Sequence, residues 1–171
     1  MHYDAARIGY GDFEGILARI HRVDDADRAA FRSRLRFLRD AGVPFVAKPG
    51  KGQRISYSFE DLWDTHLGLH LDHFGLPPSR IKSVMSENIE GKWLKEFRHK
   101  QSLTEADVWA FFRLFNFEKN ASPEDMEVIF RLYTLDELAH WLKMRGENDP
   151  PMLYAEINVS ALTRELQNEC P

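Results

Sequence analysis

The stretch from Asp24 to Ser58 restricts the fold most, because it opens acidic, runs through an amphipathic arginine-rich segment, and then meets a cluster of breakers. Phe31, Leu35 and Leu38 recur at i, i+4 and i+7, which predicts a helix ending near Asp40 with those three side chains facing a core. Asp24-Asp25-Ala26-Asp27 offers an N-cap and negative charge for its first turn, and Gly42 and Pro44 stop it. Val43–Ala47 and Gln53–Ser58 are rich in β-branched and aromatic residues. Between them Lys48-Pro49-Gly50-Lys51-Gly52 is turn chemistry, so the expectation is a β-hairpin with a basic tip.

The flanking periods are mixed. Phe13, Ile16, Leu17 and Ile20 predict a first helix over about 12–21, followed by a turn at Arg22-Val23-Asp24. Ser58 caps a third helix that runs to Phe74 and ends at Gly75, and Pro77-Pro78 forces a corner. Ser79 opens a fourth helix in which Ile81, Val84, Met85, Ile89, Trp93, Leu94 and Phe97 keep near-heptad spacing to about Lys100. Residues 108–117 fit either an aromatic helix opened by Ser102-x-x-Glu105 or a buried strand, the strand being preferred. Met126, Val128, Phe130 and Leu132 alternate as a strand, and Thr134-Leu-Asp-Glu137 is a capping box for a helix ending at Gly146. Leu153, Ala155, Ile157 and Val159 alternate again, and Ser160 opens a last short helix with Leu162 and Leu166. The class expected is α+β, with no internal repeat and no low-complexity segment.

With 171 residues the chain is long enough for one ordinary domain or two small ones. Hydrophobic residues at 43% and charged residues at 29% exclude collagen-like and mostly disordered readings. Nothing approaches the ~18 to 20 consecutive apolar residues of a membrane span, so no membrane partner is expected. The start MHYDAARIGYGDFEG lacks a basic stretch followed by an apolar core, so no secretory leader and a cytoplasmic location are expected. A single cysteine, Cys170, excludes an internal disulfide and a thiolate metal cage.

The net charge of −4 hides an asymmetry. Residues 1–85 hold 13 Lys+Arg against 11 Asp+Glu, and residues 86–171 hold 10 against 16. Arg32, Arg34, Arg36, Arg39, Lys48, Lys51 and Arg54 are opposed within their own stretch by Asp40 alone. At 100° per residue Arg28, Arg32, Arg36 and Arg39 fall within an arc of about 80° beside the apolar stripe. Such a face attracts a polyanion even in an acidic chain, and a solvated basic face without a partner is the alternative.

Helix, turn, basic helix, basic hairpin and then Tyr57-Ser-Phe-Glu-Asp-Leu62 opening another helix resembles the winged helix-turn-helix of MerR-type transcriptional regulators. The wing reads Gly50-Lys-Gly-Gln-Arg-Ile-Ser-Tyr57, and the corner that follows reads Phe74-Gly-Leu-Pro-Pro-Ser-Arg-Ile81. The resemblance covers about residues 12–90 and implies a winged helix-turn-helix domain over 1–90, with a small α+β dimerisation or sensing unit over 91–171. It implies a sequence-specific regulator that binds double-stranded DNA as a homodimer, its second helix in the major groove and its wing on the backbone. Arg28, Arg32, Arg34, Arg36 and Arg39 are then expected to face DNA, with Lys48, Lys51 and Arg54 on phosphates, since arginine pairs bidentately with guanine or phosphate and lysine acts as a point charge. That family commonly continues into a long dimerising helix and effector or cysteine-bearing metal segments. Here the fourth helix is expected to end near Lys100 and the cysteine lies in the tail, so cysteine-based sensing is not expected. The C-terminal half is expected to assemble, to bind a protein partner or to hold a small ligand. An interaction adaptor on the same scaffold, or an architectural or recombination accessory protein, are the other readings.

Rival chemistry is sparse. His66, His70 and His73 lie at i, i+4 and i+7, a spacing that can ligate zinc, but Leu62, Leu69 and Phe74 share or flank their face. Histidines hydrogen-bonded at an interface are therefore preferred, and no metal and no other cofactor is expected. Trp109, Phe111, Phe112, Phe115 and Phe117 read as core or subunit interface, as do Trp93 and Trp141. Gly50-x-Gly52 is followed by no helix that could cradle a phosphate. No nucleophile–base pair, carboxylate pair or complete metal set is present as a motif, so an enzyme is not expected.

Overall fold

A computed structural model describes residues 7–44, 54–86, 93–115, 130–144 and 153–170. The chain is mixed α+β and divides into two compact units, Met1–Leu94 with Leu162–Pro171, and Lys95–Ala161. This differs from the expected division at 90/91, because the last ten residues belong with the first unit. Among the described residues no helix is long and apolar enough to cross a membrane.

In the first unit a short strand β1 (Ile8–Gly9) leads into α1 (Tyr10–Ile20), which buries Phe13, Ile16 and Leu17 as their spacing predicts. A 3-10 turn (Asp25–Asp27) precedes α2 (Arg28–Ala41). The expected aspartate cap is absent: neither Asp24 nor Asp27 caps through its side chain, so these residues contribute only charge near the helix start. The far end is a Schellman stop. Gly42 takes φ 95°, its N–H reaches Arg39 O at 2.9 Å, and the Val43 N–H reaches Leu38 O at 3.0 Å.

The hairpin expected over 43–58 falls largely on residues 45–53, outside the described residues. Its distal part forms β2 (Ser56–Tyr57), which pairs antiparallel with β1 in the register Ile8↔Tyr57 and Gly9↔Ser56. Next comes α3 (Phe59–His73), opened by a full capping box. The Asp61 N–H donates to Ser58 Oγ at 3.2 Å, and the Ser58 N–H donates to Asp61 Oδ2 at 2.7 Å. This helix is the centre of the unit: it lies against α2 and α4 (Pro78–Ser86), and Leu62, Trp63, Leu67 and Leu71 are buried along it, as are Leu38 of α2 and Ile81 and Val84 of α4. Trp63 Nε1 donates to Thr163 Oγ1 at 2.9 Å, fixing the returning end of the chain. Gly68 lets the chain approach closely, since a Cβ there would sit 3.1 Å from Val43 Cγ1. The single helix expected from Ser79 to Lys100 is described as two segments, α4 and α5 (Trp93–Ser102), with 87–92 between them outside the described residues.

The second unit is a three-stranded antiparallel sheet in the order β4-β3-β5, where β3 is Val108–Phe115, β4 Phe130–Thr134 and β5 Leu153–Asn158. Central placement buries both faces of the first part of β3, with Val108, Ala110 and Phe112 on one face and Phe111 on the other. On one of those faces Phe111 meets Tyr133 and Trp141 edge-to-face at 6.2 and 5.3 Å, the latter from α6 (Leu135–Met144). The Thr134 capping box forms, with the Thr134 N–H donating to Glu137 Oε2 at 2.7 Å. At the start of α7 (Val159–Glu169) the cap is Asn158, whose Oδ1 accepts from the Ala161 N–H at 2.8 Å, rather than the expected Ser160. Ser160 is buried and instead ties Val108 N (2.9 Å) to Gln101 Oε1 (2.6 Å).

Candidate nucleic-acid interface

Folding α2 against the core through Phe31, Leu35 and Leu38 leaves its arginines along the flank and the outer face. Their surroundings differ. From α1, the buried carboxylate of Glu14 accepts from Arg28 Nη1 at 2.9 Å and from Arg32 Nη2 at 3.4 Å. Arg28 is thereby largely sequestered, whereas Arg32 keeps 56% of its side chain exposed. Arg34 lies on the opposite flank, paired to Asp72 of α3 at 3.1 Å. Arg39 sits 3.6 Å from Asp40 and lines the same cleft as Tyr57, whose phenol pKa burial raises and the Arg39 guanidinium partly lowers. Arg36 is exposed, with no ion partner among the described residues.

The end of α2 opens onto a cleft of about 470 Å³ lined by Gly9, Tyr10, Gly11, Arg39, Arg54 and Tyr57 among others. The start of α1 lines it through Gly9, Tyr10 and Gly11, and Gly9 supplies no side-chain cap. Arg54 is exposed at its rim. Two guanidiniums, Arg39 and Arg54, thus stand at one open cleft whose lining is otherwise largely apolar. Lys48 and Lys51 lie outside the described residues. Of the expected DNA-facing residues, Arg39 and Arg54 line one cleft, Arg36 stands outward, and Arg28, Arg32 and Arg34 are paired to carboxylates, Arg32 and Arg34 with more than half of each side chain still exposed.

Glu14 did not emerge from the sequence reading. The available signal was its place on the apolar stripe of α1 between Phe13 and Leu17, where a carboxylate must find cations or remain an uncompensated buried charge.

A separate cluster forms where α1 ends beside α3. His21 Nε2 lies 2.9 Å from His66 Nδ1, and His70 completes a trio in which one nitrogen of each ring lies within 4.8 Å of the others. His66 is fully buried, while His21 and His70 are half-buried. Burial first, then neighbouring imidazoles, push His66 down to about 2 and His21 to about 4, and lower His70 as well. His73, expected with them, is exposed and stands outside the trio, and His21 takes its place.

No protein-family model matches the chain, and no curated protein matches it.

Proposed function

We propose that the first unit is a winged helix-turn-helix that binds double-stranded DNA, with α1 and α2 as the helix pair and the segment 43–58 as the wing, and that the chain acts as a homodimeric transcriptional regulator. The observation that carries this reading is that Arg39 belongs to the arginine arc of α2 and also shares the cleft at the end of that helix with Arg54. An α-helix about 10–12 Å across with its side chains fits a major groove about 12 Å wide, and the 14 residues of α2 give it about 21 Å of length along the groove. Arg32 and Arg36 then reach base edges, while the cleft and the wing lysines Lys48 and Lys51 take backbone phosphates. Binding, with no catalytic step, is the activity proposed, and the second unit serves for assembly or for a protein partner.

Fluorescence anisotropy on genomic fragments, including the one upstream of the chain's own gene, tests it across a salt series. Tight binding to a subset of fragments that collapses as salt rises is expected. Arg39→Ala with Arg54→Ala should weaken all sequences alike and flatten the salt slope by about 2, whereas Arg36→Ala should change sequence preference. Folded protein that binds no fragment at low salt would overturn the reading and favour the adaptor, as would affinity indifferent to salt.

A further inference from the structure

We infer that His21, His66 and His70 form a three-imidazole site for a divalent transition-metal ion of the zinc class, with Glu165 positioning the ring of His66. Two rings share one face of α3 because they are four residues apart, and the third is delivered by the turn that ends α1, where Arg22 takes φ 51°. The ring centroids lie 4.8, 5.3 and 4.9 Å apart, and the rings are mutually tilted rather than stacked, so their nitrogens converge. Tetrahedral zinc holds imidazole nitrogens about 2.0–2.1 Å away, hence about 3.3 Å from one another. The nitrogens here already lie within 4.8 Å, so shifts of less than about 1 Å per ring close the site.

The outer nitrogen of His66 strengthens the case. Nε2 is buried with no hydrogen-bond partner, and Glu165 Oε2 of α7 stands 3.6 Å away. With Nδ1 turned toward His21 and available to a metal, Nε2–H is left to donate to that carboxylate. Closing that gap to hydrogen-bond distance makes the carboxylate–histidine–metal relay that fixes ring orientation and raises ligand basicity. An ion would replace the His21–His66 hydrogen bond as the link between α1 and α3. Three neutral imidazoles suit zinc, copper, nickel or cobalt and do not suit calcium or magnesium. Full burial of His66 with half-exposure of His21 and His70 leaves the fourth position toward solvent, for water or an exogenous ligand. The site does not depend on whether the chain binds DNA.

The test is titration of the full chain, free of any added histidine tag and stripped with chelator, with Co²⁺ read by visible absorption and Zn²⁺ read by competition. One equivalent of Co²⁺ with tetrahedral d–d bands is expected. Zn²⁺ at a hundredfold excess over Kd should raise Tm by roughly 5–10 °C. His21→Gln and His70→Gln should each weaken binding at least tenfold, and Glu165→Gln about tenfold. His73→Gln and His140→Gln should leave it unchanged. Because His66 is in the core, His21→Gln with His70→Gln, checked for fold by circular dichroism, is the decisive variant. Cobalt binding that survives in that folded double variant, or folded native protein that takes up none at millimolar Co²⁺, would overturn the assignment.

Discussion

Replacing Glu14 by glutamine isolates what its charge does, since the side chain keeps its shape and one acceptor oxygen. At 2.9 Å the attraction to Arg28 is about 1.4 kcal/mol at the dielectric of water and near 6 kcal/mol at an effective dielectric of 20. Desolvation of the buried carboxylate offsets most of the larger figure. The pair with Arg32 is longer, at 3.4 Å, and its cation is 56% exposed, so it adds a few tenths at most. Glu14→Gln should therefore lose about 1–2 kcal/mol, a fall in Tm of roughly 3–6 °C for a chain of this size. Glu14→Ala leaves Arg28 partly buried without its carboxylate and should lose about 2–3 kcal/mol. A double-mutant cycle read by urea unfolding should give Glu14 and Arg28 a coupling of about 1 kcal/mol, and Glu14 and Arg32 less than half of that. The same Glu14→Gln change releases two guanidiniums, so DNA affinity should rise and its salt slope steepen while stability falls. Wild-type Tm in Glu14→Gln, together with no coupling to Arg28, would refute the buried clamp.

Asp64 is buried with Oδ1 unpartnered, and burial, then Glu60 and Asp61, raise its pKa from 3.8 to about 8. Its folded value lies above the unfolded one, so stability is intact below about pH 4 and is lost as pH rises toward 8. At up to about 1.4 kcal/mol per pH unit between the two values, Asp64→Asn should match the native chain near pH 4 and exceed it by a margin that grows to about 5 kcal/mol at most by pH 8; denaturation curves with a pH-independent difference would contradict this. Ser58→Ala breaks the capping box of α3 and should cost about 1 kcal/mol by thermal unfolding, with no loss at all as the contrary result.

The helices of the first unit were legible because their apolar residues keep one period and their ends carry local chemistry. Phe31, Leu35 and Leu38 are buried, Gly42 takes the left-handed turn, and Ser58 caps α3. Local chemistry misled where two candidates compete. Asn158 outcompetes Ser160 at α7 because Ser160 is already engaged by Val108 and Gln101. The pairing of β1 with β2 was not legible. Two-residue strands carry no period, and their register is set by contacts 49 residues apart, Ile8 with Tyr57.

The same distinction governs the candidate sites. Spacing within one helix reveals the arginine arc of α2 and the His66–His70 pair, since both follow from 3.6 residues per turn. Each site is completed from α1 or its ends: Glu14 supplies the carboxylate for Arg28 and Arg32, His21 the third imidazole, and Gly9–Gly11 the floor of the cleft that holds Arg39 and Arg54. Which residue of α1 meets which partner depends on how α1 packs, and that is fixed by Phe13, Ile16 and Leu17 inserting beside α2 and α3. Those apolar positions are readable, but the polar ones between them become informative only when a partner 14 to 49 residues away is placed opposite. The tilt of α1 therefore couples two chemistries. A change that shifts it should disturb the arginine clamp and the histidine cluster together, although no residue belongs to both.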